Sequence, residues 1–295
     1  MAILLVGGTG TIGAATARAL LGRVDTVAVL SRSRERLNTL PFGVEGRLGD
    51  ASKPDGLKST LADFESVFLV TGVGPDEADR GIGLVRAAKA AGCKRIVYLS
   101  APAPSWAEKV PAFAAKRLVE QAIRDSGLRW TVLRPNHLFQ NDIAWRGVIE
   151  RGFYPLPLGS AGVSRVDVRD VAEVAAAALT TSGHNGQSYR LDGPDPLTGS
   201  EVAAAWRRHL GRSVVYAGDS VAAWVAQAPP EMPRGVVDGL AEMYHQMQIH
   251  GLSADPAALR VQTQILGRSP RSFEGFAAQV AHEWNSARRA MTAVG

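Results

Sequence analysis

Cysteine is almost missing from this chain: Cys93 stands alone in 295 residues. No intrachain disulfide can form, and no cysteine-based metal site can be assembled. Its setting, Ala91-Gly92-Cys93-Lys94, reads as a helix-to-strand joint and a structural thiol. Long apolar runs are missing too. None is long enough to span a bilayer, and the first is only a strand long, without the basic region and cleavage site of a secretion signal. No membrane partner is expected, and the expected compartment is the cytoplasm. Net charge is +5, but the basic residues are dispersed rather than clustered. Arg32, Arg34 and Arg36 form the densest group, so nucleic acid is not an expected partner. The histidines lack carboxylates at ligand spacing: His209, His245 and His250 lie in the C-terminal third and His184 in a surface turn. No metal site is expected.

What the chain does have is glycine at the right place. The opening reads MAILLVGGTGTIG. Ala2 to Val6 is an unbroken apolar run, as a strand buried on both faces of a parallel sheet would read. It runs into Gly7, Gly8, Gly10 and Gly13, and then into Ala14 to Leu20, a good helix former. Strand, glycine turn and helix in that order give a G-x-G-x-x-G match its meaning. The turn brings backbone close to a pyrophosphate, and the helix N-terminus supplies N–H groups and the positive end of a dipole. Gly7, Thr9, Gly10, Thr11, Ile12 and Gly13 are therefore predicted to hold a dinucleotide.

Further strands follow at Thr26 to Leu30, Val44 to Leu48, Ser66 to Val70, Ile96 to Leu99 and Trp130 to Leu133. Helices fall between them, including Asp76 to Ala91 and about Glu108 to Asp125. This alternation predicts an α/β fold, a Rossmann-type doubly wound parallel sheet. At the end of strand two, where an NAD-preferring site carries an acid, the chain gives Ser31-Arg32. An Arg there suits a 2′-phosphate, so NADP is expected, with NADPH preferred over NADH. Asp50 and Ala51 at the end of strand three are expected on the adenine side. Thr71, Gly72 and Ser100 lie on the loops after strands four and five, across the sheet's carboxyl edge.

Past Asn141 the alternation weakens. Val166 to Val171 is expected to return to the main sheet and lead into a helix, and Gln187 to Leu191 is a further strand. The expected organisation is a Rossmann domain over 1–150, completed by about 163–192 and the C-terminal helix. A smaller, mainly helical lobe over 193–295 is expected to cover the substrate. Phe153, Tyr154, Trp106 and Trp224 would line an apolar pocket.

These residues together resemble the NmrA-like atypical members of the short-chain dehydrogenase/reductase superfamily. The opening glycines, Leu30-Ser31-Arg32, Asp50, Lys116 to Glu120, Thr131 to Pro135, Asn141 and Asp167 to Ala172 match in order and spacing. Gly267-Arg268-Ser269-Pro270 is similar to a segment of the quinone-reductase-like branch. One departure matters. The superfamily's Tyr-x-x-x-Lys proton donor would stand at residue 112, four before Lys116, and that residue is Ala112. Lys116 keeps the role the superfamily implies, holding the nicotinamide ribose, and Ser100 stands where the superfamily serine would be.

The resemblance implies an NADPH-dependent reductase of quinone or dye type. A quinone delocalises the negative charge that hydride brings, so it needs little help from a protein acid. His137 and Tyr154 are the remaining candidates for proton donation. The expected partner is a small apolar or aromatic acceptor, and a homodimer is allowed. The alternative is a non-catalytic NADP-binding redox sensor that acts through a protein partner.

Overall fold

The computed structural model describes residues 1–230 and 232–292. Two compact units emerge. The first comprises Met1–Pro135, Val168–Leu191 and Gln264–Gly267; the second comprises Asn136–Asp167, Asp192–Thr263 and Arg268–Gly295.

The first unit alternates strand and helix: β1 (Ala2–Val6), α1 (Thr11–Leu20), β2 (Thr26–Ser31), α2 (Arg34–Asn38) and β3 (Val44–Leu48). Next come α3 (Lys58–Ala62), β4 (Ser66–Val70), α4 (Glu77–Ala90), β5 (Arg95–Leu99), α5 (Pro111–Asp125) and β6 (Arg129–Pro135). In the second unit, α6 (Arg146–Glu150) and β7 (Phe153–Tyr154) follow, before the chain re-enters the first with α7 (Val168–Thr180) and β8 (Gln187–Leu191). Seven strands form one sheet in the order β3-β2-β1-β4-β5-β6-β8. Every pairing is parallel.

Successive side chains on a strand point to opposite faces. Leu4, Val6, Ala28, Leu30, Val67, Leu69, Ile96 and Tyr98 therefore share one core with Leu61 of α3, Leu84, Val85 and Ala88 of α4, and Val119 and Ile123 of α5. The alternate positions Ile3, Leu5, Val29, Phe68 and Val97 are fully buried on the other face, where α1 and α7 pack together. Helices on both faces make this a doubly wound fold. The order reverses between β1 and β4, the switch point beside which ligands of open α/β sheets bind.

The second unit holds its own core. Here α8 (Gly199–Leu210) starts at Thr198, whose side chain and that of Glu201 form a reciprocal cap. After it come β9 (Val215–Tyr216), α9 (Val221–Ala226), α10 (Arg234–His250), α11 (Pro256–Leu266), whose end from Gln264 belongs to the first unit, and α12 (Phe273–Thr292). β7 and β9 pair as a separate two-stranded sheet. Trp206 stacks on Trp284 with ring centroids 5.0 Å apart, and Phe139, Phe273 and Phe276 close around Trp206 and one another.

The division differs from the expected one. Residues 136–167 and the C-terminal helix fall with the second unit, not with the sheet. Val166 does not rejoin the sheet either. It makes a lone parallel bridge to Leu138, and the helix begins two residues on, at Val168. The alternation of Val166, Val168 and charged neighbours reads like a strand, but the edge of β6 is taken by β8.

Candidate functional site

The turn after β1 is shaped by three glycines that the chain itself requires. Gly7 has φ of +81°, and a Cβ there would lie 2.8 Å from the Val70 carbonyl oxygen. A Cβ on Gly8 would meet Val29 at 2.7 Å, and one on Gly13 would lie 2.4 Å from the Gly7 oxygen. Gly10 is different. Its nearest neighbour would be the Gly7 oxygen at 3.4 Å, so the protein leaves that side open. Gly10 caps α1 without a side-chain hydrogen bond, and no acid stands in the first turn. The amides of Thr11, Ile12 and Gly13 open the helix and have no partner within it. Thr11 is exposed and Thr9 and Ile12 are half-buried. Space at Gly10 and unspent donors at a helix N-terminus fit a pyrophosphate.

At the ends of β2 and β3, Arg32 is exposed. Asp50 accepts from the backbone N–H and hydroxyl of Ser52 at 2.9 and 2.8 Å. Those two bonds, and then the nearby charge of Arg32, hold the Asp50 carboxyl below its ordinary value. An open guanidinium and an ionised carboxylate thus flank one edge of the sheet, with Ala51 half-buried beside them. Such a pair suits a phosphorylated ribose and an adenine amino group.

The ends of β4 and β5 and the facing helices hold a closed polar cluster. Lys116 of α5 places Nζ 2.6 Å from Glu77 Oε1 and donates to Thr71 Oγ1 at 3.1 Å. The Thr71 hydroxyl donates to the same Glu77 oxygen at 2.6 Å. That uses its only hydrogen, so the Tyr98 hydroxyl, 3.2 Å away, must be the donor to Thr71. Burial pushes the Tyr98 phenol far up, and the ring is fully buried. Tyr98 is therefore a fixed donor inside the cluster, not a replacement for the missing tyrosine. Gly72 gives its carbonyl oxygen to Arg80 at 2.7 Å, anchoring the loop after β4.

Ser100 is also committed. Its hydroxyl donates to Glu120 Oε1 at 2.6 Å. Arg134 adds two bonds to that carboxylate, and Arg124 a third at 2.8 Å. Burial alone would raise Glu120, yet the bonds from Arg134 and Ser100 hold it below its ordinary value.

His137 and Tyr154 lie in the second unit, inside a different network. Arg165 and Asp142 are both fully buried and joined at 2.6 Å. Asp142 also accepts from Trp206 Nε1 at 2.9 Å and from the Tyr154 hydroxyl at 3.2 Å. Arg165 Nε lies 3.2 Å from His137 Nδ1. A guanidinium only donates, so Nδ1 is an acceptor and the imidazole proton sits on Nε2, 3.3 Å from the Tyr244 hydroxyl. Burial first, and then the Arg165 charge, push His137 well below its ordinary value. The expectation that His137 donates protons near an unperturbed pKa is corrected by this placement: the ring is neutral and already bonded at both nitrogens. Tyr154 is likewise spent on Asp142, with its phenol pushed up by burial. Of the residues expected to line an apolar pocket, Phe153 is 54% exposed, Tyr154 and Trp224 are buried in the second unit, and Trp106 packs on Phe113 in the first.

Glu77, Tyr98, Glu120 and Arg134 were not singled out as site residues from sequence. Only Glu120, four residues after Lys116 on one helix face, carried a readable signal. A separate pocket of about 230 Å³ opens at the opposite, amino-terminal edge of β5 and β6, beside Arg95 and Arg129. Arg95 there is bonded to the carbonyls of Ala178 and Leu179 at the end of α7 and serves to cap it. Among the described residues, no group of three or more His, Cys, Asp or Glu could hold a metal. No described helix is long and apolar enough to cross a membrane.

Known proteins resemble this chain in sequence and fold. The profile of the NAD(P)H-binding family matches residues 7–182. The chain is 34% identical to the NAD(P)H azoreductase of Xenophilus azovorans, over 93% of this chain and 96% of that one. It is 32% identical to the (4-alkanoyl-5-oxo-2,5-dihydrofuran-3-yl)methyl phosphate reductase of Streptomyces griseus, over 95% and 98%. Its fold is shared with the NADPH-dependent quinone oxidoreductase of Escherichia coli solved with NADPH, at a TM-score of 0.82 and 24% identity, covering 94% of this chain and 99% of that one.

Proposed function

This chain belongs to the NAD(P)H-binding family, as its resemblance to the NmrA-like atypical reductases implied, and from that premise we propose that it is a reductase that prefers NADPH and passes hydride to a quinone-like or other conjugated apolar acceptor. That it is an NAD(P)H-dependent oxidoreductase rests on full-length relatives that are themselves reductases. The choice of acceptor rests on one observation. Position 112 carries no hydroxyl, and those of the cluster and of Ser100 are already committed: Thr71 to Glu77, Tyr98 to Thr71 and Ser100 to Glu120.

A ketone needs its oxygen protonated as hydride arrives. A quinone or an azo dye spreads the incoming charge over its own π system and takes protons from water. Gly10 and the amides opening α1 would hold the pyrophosphate, Arg32 the 2′-phosphate, Asp50 and Ala51 the adenine side, and Lys116 the ribose next to the nicotinamide. When bound, the reduced nicotinamide supplies the hydride. In this reading the residues of the chain bind and orient, and the conjugated acceptor needs no dedicated proton donor from them.

The test is loss of NADPH absorbance with benzoquinones, naphthoquinones or azo dyes set against simple ketones, with NADPH and acceptor alone as the blank. Turnover of the conjugated class only is expected. Tight NADPH binding with no acceptor reduced above the blank would replace this reading with the sensor. Efficient oxidation of a plain secondary alcohol would contradict both.

A further inference from the structure

Glu77 is a carboxylate with no exposed surface, and its Oε2 has no hydrogen-bond partner. A buried carboxylate with an unpaired oxygen is costly, and a structural pair of this kind could often be replaced by apolar side chains without loss. Its geometry suggests another use. Glu77 opens α4, and Gly81 follows one turn later. A Cβ on Gly81 would lie 2.4 Å from Val119 Cγ2 and 3.2 Å from the Thr71 methyl. The bare glycine therefore lets α4 and α5 approach, and this approach brings Glu77 to Lys116, which precedes Val119 by nearly one turn. An ammonium has three donors. Two of them go to Glu77 Oε1 and Thr71 Oγ1. The third has no hydrogen-bond acceptor in this cluster, where Nζ lies 5.8 Å from the Tyr98 ring centroid and the side chain is 11% exposed.

We propose that Glu77 is a positioning residue for cofactor binding: with Thr71 it fixes two donors of Lys116 so that the third is held for a ribose hydroxyl. The proposal rests on the cofactor reading above. A bare staple between α4 and α5 would need the charge pair but not the free donor. The two are separated by measuring NADPH affinity apart from stability.

NADPH binding is followed by its fluorescence and thermal unfolding by circular dichroism, for the unaltered protein, Glu77→Gln, Lys116→Met and the double variant. Glu77→Gln is expected to weaken NADPH about tenfold, the worth of one charged hydrogen bond, and Lys116→Met by a similar factor. The double variant should bind like Lys116→Met alone, because Glu77 acts through that lysine. The double variant carries no lone buried charge, whereas Lys116→Met leaves the Glu77 carboxylate alone; where a single variant does not fold, Gly81→Ala decides, and unchanged NADPH affinity there overturns the proposal. Gly81→Ala, which removes no charge, should also weaken NADPH by spreading the helices. Unchanged NADPH affinity in Glu77→Gln with a lowered melting temperature would reduce the pair to a staple and overturn the proposal. A double variant that binds worse than Lys116→Met would overturn it too. An unaltered protein that binds no NADPH would instead fail the cofactor reading, and this proposal with it.

Discussion

The Ser100 hydroxyl donates to Glu120 Oε1 across 2.6 Å, on a carboxylate only 2% exposed that Arg134 and Arg124 also engage. Bonds between the carboxyl ends of β5 and β6 and the middle of α5 thus converge on one acid. Glu120→Gln should cost about 2 kcal/mol near neutral pH, less than a fully buried pair because both arginines are partly exposed. The folded-state pKa of Glu120 lies below its ordinary value of 4.5. Its contribution is therefore full above that value and is lost as pH falls through the depressed one. Urea midpoints of the two proteins should differ at pH 7 and draw together only as pH falls below 4.5 and through the depressed value. A gap that stays constant into acid would contradict the assignment.

Arg165 and Asp142 carry the second unit's polar core in the same way, but with neither side chain exposed. Arg165→Met should destabilise by about 3–5 kcal/mol, because it strands a buried carboxylate. Adding Asp142→Asn should recover part of that loss. Strictly additive losses in denaturant unfolding would mean the two side chains do not act as a pair.

Much of this was readable in the sequence, for a physical reason. The buried strands of the first unit are short apolar runs rich in branched residues and bounded by turn signals, and length and flanks together mark them as strands. The turn at Gly7 to Gly13, Arg32 at the end of β2 and the absence of a hydroxyl at Ala112 are local facts of the same kind. Glu77 was not readable. An acid in the first turn of a helix is explained well enough by the dipole, and its partner lies 39 residues away in sequence. Tyr98 was legible only as part of the strand Ile96 to Leu99, and its ring is indeed buried in the core. Val166 misled because period-two alternation describes an irregular bridge as well as a strand. His137 misled because a histidine past a strand end reveals nothing of a buried guanidinium 28 residues on.

The glycine turn separates folding from binding at two positions. Gly13→Ala should destabilise the protein, since its Cβ would collide with the Gly7 backbone at 2.4 Å. A Cβ at Gly10 would meet nothing of the chain closer than 3.4 Å, so Gly10→Val should lower the melting temperature less than Gly13→Ala and keep its circular dichroism. It should nevertheless abolish binding of NADPH and NADH alike, as its branch would fill the room left for the pyrophosphate. Retained NADPH binding in Gly10→Val would put the phosphates elsewhere.

In the proposed reading, Arg32 sets the choice between the two cofactors. It is exposed, and its charge is among those that keep Asp50 ionised. NADPH should bind better than NADH by the worth of a charged hydrogen bond, about 1.5–3 kcal/mol or roughly tenfold to beyond a hundredfold. Arg32→Ala should remove most of that preference and leave NADH affinity nearly unchanged. It also leaves the Asp50 carboxylate without its neighbour, so residual repulsion should fall on the 2′-phosphate alone. Asp50→Asn added to Arg32→Ala should then return some NADPH affinity, and raising the salt concentration should do the same in the single variant by screening. The measurement is a pair of dissociation constants for each protein at low and high salt. Equal constants for NADPH and NADH in the unaltered protein would remove the 2′-phosphate from Arg32 altogether.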